Sequence, residues 1–124
     1  MIDFHNAAYL KLHRAKNPGF LPAVEGLLRQ DEHIVHCFQS VRDGVVFTNL
    51  RVIAINVQGV TGKKSDYTSL PYSKAQAFSI ETAGILDLDS EIELTFSGLG
   101  TVRFEFLAGT NVIELGRIIS EAML

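Results

Sequence analysis

Residues 44–89 read GVVFTNLRVIAINVQGVTGKKSDYTSLPYSKAQAFSIETAGILDLD, and this stretch decides the fold. It holds apolar runs at 45–47 and 51–57, followed by two further runs that end at Pro71 and Thr82. Turn-forming Asn and Gly residues separate the runs. Short, β-branched runs between such turns predict consecutive antiparallel strands.

Length and cysteine content favour a single domain in a reducing compartment. A chain of 124 residues can remove about two-thirds of its unfolded surface from water, so it needs no disulfide or metal in order to fold. The single cysteine, Cys37, cannot form an internal disulfide. We therefore expect a cytoplasmic protein in which Cys37 is a buried, inert thiol.

Charge and hydropathy argue against several classes of partner. The first residues do not form the pattern of a signal peptide, and no apolar run reaches the roughly 20 residues of a membrane span. With 14 acidic and 11 basic side chains, the net charge is -3. This balance disfavours nucleic acid and anionic lipid as partners.

The N-terminal residues predict helices. In residues 2–16 the apolar side chains fall at roughly helical spacing, and the basic residues gather toward the end, as a helix dipole favours. Residues 17–19 are Asn-Pro-Gly, which breaks the chain, and Pro22 can open a second short helix. We expect an N-terminal helical extension over residues 1–19 and a main domain over residues 20–124.

Residues 91–106 show the clearest alternation of apolar and polar side chains. The two alternating runs flank Gly98-Leu99-Gly100, so they predict a hairpin with that three-residue loop. Both apolar faces coincide if Phe96 lies opposite Val102, because a slip of one residue would turn every side chain to the other face. Gly100 is free to adopt a positive φ in this turn.

The C-terminal residues predict an amphipathic helix. Asn111 can cap its first turn, and Glu114, three residues later, can reach back to the cap. Gly116 lies in the middle at a cost of about 1 kcal/mol relative to Ala, which suggests close approach to a strand. The apolar stripe comprises Val112, Leu115, Ile119 and Ala122, widened by Ile118 and Met123.

Together these elements predict a mainly β fold. From His33 onward the pattern changes to that of strands, and seven short strands precede the final helix. Such an order favours an antiparallel meander that curls into a barrel, with the helix covering an open end. No helix-length segments alternate with the strands, which excludes a doubly wound sheet.

The glycine-rich residues 59–65 superficially match a phosphate-binding loop. Lys64 stands where Ser or Thr should follow the lysine, and strand residues come next instead of a helix. We interpret the segment as a tight turn with two exposed lysines, Lys63 and Lys64. Contact of these lysines with an anion stays open as an alternative.

No group of residues in the sequence supports catalysis or metal binding. His33 and His36 lie three apart on a strand, so they point to opposite faces and cannot share a zinc ion. Acidic residues recur at every second position in 87–93, but the loop lacks the Gly and the bidentate Glu of a calcium loop. We expect no enzyme activity, no cofactor and no metal site, and interpret the acidic residues as a solvated or interface edge.

Several of these segments resemble, in order and spacing, the bacterial pleckstrin-homology-like (PH-like) domain family. The matching residues are Phe47-Thr48-Asn49 with Arg51, residues 58–64, Leu70-Pro71-Tyr72, and residues 78–84 followed by Asp87-Leu88-Asp89. The resemblance covers residues 20–124. It implies a seven-stranded, strongly bent antiparallel barrel capped by a C-terminal helix, assembly into ring-shaped homo-oligomers, and no known enzymatic activity for most members.

Two departures from the family concern lipid binding. Leu50 stands where the family commonly carries a basic residue. The first hairpin loop, residues 40–44, holds one Arg and one Asp, whereas lipid-binding eukaryotic relatives carry several basic residues there. Phosphoinositide binding is therefore not part of what the resemblance implies for this chain.

We expect a non-enzymatic PH-like domain that self-associates and serves as a scaffold or protein-binding module. Thr48, Asn49 and Arg51 are candidate interface residues, because a guanidinium after a turn can hold a carboxylate of a neighbouring copy at two points. The acidic candidates for the complementary surface are Glu81, Asp87 and Asp89. The alternative for both groups is turn chemistry and an ion pair within the chain.

A rival function is a monomeric binding module for anionic ligands. In this hypothesis Lys63, Lys64 and Arg51 hold an anionic lipid headgroup or an acidic peptide. Native mass in solution and flotation with anionic vesicles separate the two functions.

Overall fold

The computed structural model describes residues 1–124. Eight strands and two α-helices form the structure, with one helical turn at Tyr72–Lys74. The strands are β1 (Tyr9–Arg14), β2 (Ile34–Gln39), β3 (Gly44–Thr48), β4 (Arg51–Gln58), β5 (Lys64–Pro71), β6 (Ala75–Glu81), β7 (Ser90–Phe96) and β8 (Gly100–Phe106). The helices are α1 (Leu21–Leu27) and α2 (Val112–Met123). Neither helix has the length and apolar character needed to span a bilayer.

The strands form one curled sheet in the order β5-β4-β3-β2-β1-β8-β7-β6. All neighbours pair antiparallel except β1 and β8, which are parallel. The mainly β class and the C-terminal helix are confirmed, but the predicted count of seven strands is wrong. The additional strand is β1, which lies between β2 and β8 and so joins strands β2–β5 to strands β6–β8. The curled sheet as a whole has the shape of a half-barrel.

β1 lies where the sequence predicts a helix, so the helix over residues 2–16 is wrong. A β-bulge between Tyr9 and Leu12 explains the error, since Lys11 has a φ of 52° and the pairing register shifts there. The bulge places Tyr9 and Leu12 three residues apart on the same buried face. A bulged strand with this spacing has the same apolar pattern as a helix. The second short helix, α1, is confirmed.

The core has two parts, one on each side of β2, β3 and β4. The larger part fills the half-barrel, and edge-on aromatic contacts join Phe38, Phe47, Phe104 and Phe106 at its centre. The smaller part lies under α1, where Val24 packs with other buried side chains. Cys37 belongs to this smaller part, and burial raises the pKa of its thiol.

The β7–β8 hairpin forms with its apolar faces aligned, but two residues away from the predicted register. Leu94 lies opposite Val102, and Phe96 lies opposite Gly100. The loop is therefore residues 97–99, with Gly98 at a φ of 79° and Gly100 at 91°. The apolar alternation requires that the numbers of two paired residues sum to an even value. Which even value the hairpin adopts depends on which glycine turns the chain.

α2 covers one end of the half-barrel and contacts β6 and β7. The side chain of Asn111 accepts a hydrogen bond from the Glu114 amide at 3.1 Å, so the predicted cap is confirmed. The Glu114 side chain contacts His36 on β2 instead of reaching back to the cap. The predicted close approach is also confirmed, because a β-carbon at Gly116 would overlap Cδ1 of Ile80 on β6.

Candidate functional site

Thr48 occupies the turn between β3 and β4 and organises it from within. Its buried hydroxyl accepts hydrogen bonds from the Leu50 and Arg51 amides, both at 3.0 Å. The same hydroxyl donates to Oε2 of Glu32 at 2.6 Å. Thr48 therefore fixes the start of β4 and, through it, the position of Arg51.

Arg51 forms a bidentate ion pair with Glu32. Its Nε lies 2.9 Å from Oε2 of Glu32, and its Nη2 lies 2.9 Å from Oε1. The Leu27 carbonyl and the Ser69 hydroxyl accept two further hydrogen bonds from the guanidinium, at 2.8 and 3.0 Å. We refer to Glu32, Thr48 and Arg51 with these partners as the Arg51 network.

The carboxylate of Glu32 is fully enclosed, with a side-chain exposure of 0%. Burial opposes its ionisation, but hydrogen bonds from Arg51, Thr48 and the Arg29 amide outweigh burial and lower the pKa of Glu32. A buried charge needs this kind of compensation. The Arg51 network therefore satisfies its own charges within the chain.

Asn49 also makes its contacts within the chain. Its Oδ1 accepts a hydrogen bond from the His33 amide at 2.8 Å, and its Nδ2 donates to the Asp31 carbonyl at 3.1 Å. These bonds tie the β3–β4 turn to the segment between α1 and β2. Of the two interpretations of Thr48, Asn49 and Arg51, the geometry corresponds to turn chemistry with an intramolecular ion pair.

A groove of about 340 Å³ adjoins the Arg51 network. The apolar side chains of Leu27, Leu50, Pro71 and Ala122 line part of it. Arg51 and Glu32 lie at its wall with their charges already paired, so the groove offers mainly apolar surface.

Lys63 and Lys64 lie at the opposite end of β4 from Arg51. Arg51 begins this eight-residue strand, and the two exposed lysines follow its end. At about 3.3 Å per residue, the strand separates the two sites by on the order of 20 Å. The structure therefore does not bring Lys63, Lys64 and Arg51 into one anion site.

The loop that carries the lysines is joined to a second loop. The guanidinium of Arg42, in the β2–β3 loop, donates to the Gly59 carbonyl at 2.6 Å. Neither Lys63 nor Lys64 forms an ion pair with a carboxylate of the chain. Three basic side chains with exposed positions thus gather at this corner of the molecule.

The structure does bring the acidic candidates together. Glu81, Asp87 and Asp89 line a cleft of about 290 Å³ beside β7 and β8. Glu91, Glu93, Glu105 and Arg103 complete the lining. Arg103 pairs with Glu91, and its guanidinium also lies 3.9 Å from Glu105. Ion pairing with Glu91 raises the pKa of Arg103.

No group of three or more His, Cys, Asp or Glu side chains is arranged to hold a metal ion. Asp87 instead accepts a hydrogen bond from the Asp89 amide at 3.0 Å and so shapes its own turn. The cleft is a surface of high negative charge with one embedded cation.

Sequence reasoning missed the role of Glu32, which lies in the charged segment 29–32 that follows α1. The available signal was Arg51 at the start of a strongly apolar strand, since a cation there needs a partner. Reasoning also missed the exposed apolar residues Ile85, Leu86 and Leu88, which stand between the acidic candidates. These residues lie in the loop between β6 and β7, and their exposure depends on how the rest of the chain packs, which the sequence alone does not show.

Comparisons with known proteins bear on the whole chain. A family model described as bacterial PH domain matches residues 4–123. YjqA, an uncharacterized protein of Bacillus subtilis, is 38% identical over 96 residues, which span 76% of this chain and 77% of YjqA. Two solved structures are also similar, a pleckstrin-homology domain protein from Shewanella loihica and a pleckstrin homology domain from Shewanella amazonensis. The first has a TM-score of 0.76 and 33% identity, and covers 93% of this chain and 99% of its own. The second has a TM-score of 0.61 and 36% identity, and covers 96% and 93%.

These matches extend the resemblance seen in the sequence. They include β1 and α1 as well as the stretch from β3 to β7. The curled sheet with its C-terminal helix is the PH-like fold, so the predicted resemblance is confirmed. The chain belongs to the bacterial PH domain family.

Proposed function

We propose that this domain is a non-enzymatic, cytoplasmic scaffold that assembles with copies of itself into a ring and binds other proteins in that form. The observation that carries the proposal is the open sheet, which leaves one edge of β5 and one edge of β6 without a backbone partner. Families of this fold are generally non-catalytic, which supports a binding role.

The two edges are suited to pairing. As strands, β5 pairs only with β4, and β6 only with β7. Met1 and Ile2 contact β5 through the side chains of Asp66 and Thr68. β6 contains no proline, and β5 contains one only at its last residue, Pro71, so proline does not block a further strand at either edge. Unpaired edges of this length are ready templates for association with another chain.

Charge favours an antiparallel contact between β5 of one copy and β6 of the next. In that arrangement Lys64, at the start of β5, lies close to Glu81, at the end of β6. A parallel contact would instead bring Lys64 toward Lys74, a like charge. Because the two edges differ, the contact is heterologous and forms a ring when its rotation closes.

Light scattering on a sizing column across a dilution series tests the proposal. We expect a stable mass several times that of one chain. Glu81→Lys should lower this mass because it opposes Lys64, and Lys64→Glu in the same chain should restore it. Glu121→Lys on α2 is the matched control. A wild-type chain that is monomeric at every concentration would contradict the proposal.

A monomeric binder of anionic ligands is the second candidate. The observation in its favour is the joined pair of loops that carries Arg42, Lys63 and Lys64 with no internal carboxylate partner. Arg51 adds nothing to this site, because its donors are bonded to Glu32, Leu27 and Ser69. Flotation of the wild-type chain with anionic vesicles, lost in Lys63→Glu with Lys64→Glu, would favour this candidate.

A further inference from the structure

The β6–β7 loop presents an unusual apolar surface to solvent. Ile85, Leu86 and Leu88 are 96%, 99% and 58% exposed. Single exposed apolar residues are ordinary on protein surfaces, but three within four positions of one loop concentrate apolar surface in the way that marks an interaction site. Acidic side chains flank the patch on both sides. We define the acidic tip as Glu81, Ile85, Leu86, Asp87, Leu88 and Asp89.

One backbone hydrogen bond and one bond to a side chain fold the acidic tip into a turn. The Gly84 amide donates to the Asp87 carbonyl at 2.6 Å, and the Asp89 amide donates to the Asp87 carboxylate at 3.0 Å. The apolar side chains make no core contacts in this turn and stay in solvent. The chain itself therefore provides no cover for them.

A second surface of the same chain also combines exposed apolar side chains with charged ones, but its charge is positive. Val41 and Val60 are fully exposed at the ends of the β2–β3 and β4–β5 loops. The hydrogen bond from Arg42 to Gly59 joins these loops. We define the basic corner as Val41, Arg42, Val60, Lys63 and Lys64.

Within one chain the charges of the two surfaces are not paired with each other. The basic corner precedes β5 and the acidic tip follows β6, and these strands are the two opposite edges of the sheet. No ion pair joins any carboxylate of the tip to a cation of the corner. Each surface thus remains available to a partner.

We propose that the acidic tip of one copy docks on the basic corner of the next copy. The inference rests on the self-association proposed above and identifies the side chains that make the contact specific. Antiparallel pairing of β5 with β6 places the loop before β5 beside the loop after β6. The apolar residues then cover one another, and the surrounding charges exclude a contact between two tips or two corners.

The test compares the concentration at which half of the chains are assembled. Ile85→Ser with Leu86→Ser should raise this concentration at least tenfold, and Val41→Ser with Val60→Ser should do the same. Ile113→Ser, an equally apolar exposed position on α2, should leave it unchanged. Thermal melting checks that each variant stays folded.

Combining the tip and corner variants tests whether the two surfaces touch each other. If they do, the combined variant should reach half assembly at about the same concentration as the more strongly affected of the two separate variants. Both changes then remove the same contact. Multiplication of the two effects would overturn the inference, as would a tip variant that assembles like the wild type. Either result with an oligomeric wild type leaves the proposed self-association standing, whereas a monomeric wild type removes both.

Discussion

Arg51 is held by four hydrogen bonds to three parts of the chain, the end of α1, the segment before β2, and β5. Its bidentate pairing was predictable from the residue type, but its partner was not. Glu32 lies 19 residues away in sequence, and no periodic pattern links the two positions. The guanidinium was a candidate for holding a neighbouring copy, but it binds Glu32 in the segment between α1 and β2 of its own chain.

Removing Arg51 should strongly destabilise the fold. Arg51→Ala leaves the buried Glu32 carboxylate without its counter-charge, which we expect to lower the free energy of unfolding by about 3–5 kcal/mol. Urea unfolding measures the change. Arg29→Ala is the control, because Arg29 pairs with Asp31 on the surface and should cost at most about 1 kcal/mol. Equal changes in the free energy of unfolding for the two variants would show that the Arg51 network stabilises the fold no more than a surface ion pair does.

Glu32 should make stability depend on pH in a defined direction. Its pKa is lower in the folded chain than its ordinary value of 4.5, so the unfolded chain takes up this proton first as pH falls. The stabilisation is therefore complete above about pH 4.5 and is lost as pH falls through the folded pKa. The stability difference between wild type and Glu32→Gln should shrink from neutral to strongly acidic pH. A difference that is constant in urea unfolding over this range would contradict the assignment.

At the scale of the element, features that depend on neighbouring residues are predictable from the sequence, whereas strand register is predictable only in part. The turns, the cap at Asn111 and the strand alternation in β7 and β8 were predictable because each depends on neighbouring residues. β1 was not, because its bulge at Lys11 gives an apolar spacing of three. The β7–β8 register was fixed only to within two residues, since both Gly98 and Gly100 allow a positive φ.

Packing of α2 on β6 predicts a coupling between Gly116 and Ile80. Gly116→Ala gains up to about 1 kcal/mol of helix propensity, but its β-carbon meets Cδ1 of Ile80. Ile80→Val removes that atom. We expect the alanine to be more favourable in the Ile80→Val background, with a coupling of about 0.5–3 kcal/mol in urea unfolding.

Gly26→Ala provides the control for this cycle. Gly26 lies in α1, and a β-carbon there would meet nothing within 4 Å. Its effect should therefore be the same in both backgrounds. Strict additivity of Gly116→Ala and Ile80→Val would mean that the helix and strand adjust without strain.

At the scale of the whole molecule, the fold leaves unlike surfaces at its two edges. β5 follows a basic corner and β6 precedes an acidic tip, and both strands lack an outer partner. The sequence identified the charged residues of both surfaces, Lys63, Lys64, Glu81, Asp87 and Asp89, but not their arrangement. That arrangement depends on which strands lie at the edges, and this follows from the complete order of the sheet.

The most direct test of self-association through these edges is cross-linking between two variants that each add one cysteine at an edge, Lys64→Cys and Glu81→Cys. Cys37 is buried and should not react with a short bifunctional maleimide. After subunit exchange, a mixture of the two variants should give a covalent dimer on a denaturing gel, whereas each variant alone should not. A mixture that gives no more dimer than either variant alone would contradict pairing of β5 with β6 between copies.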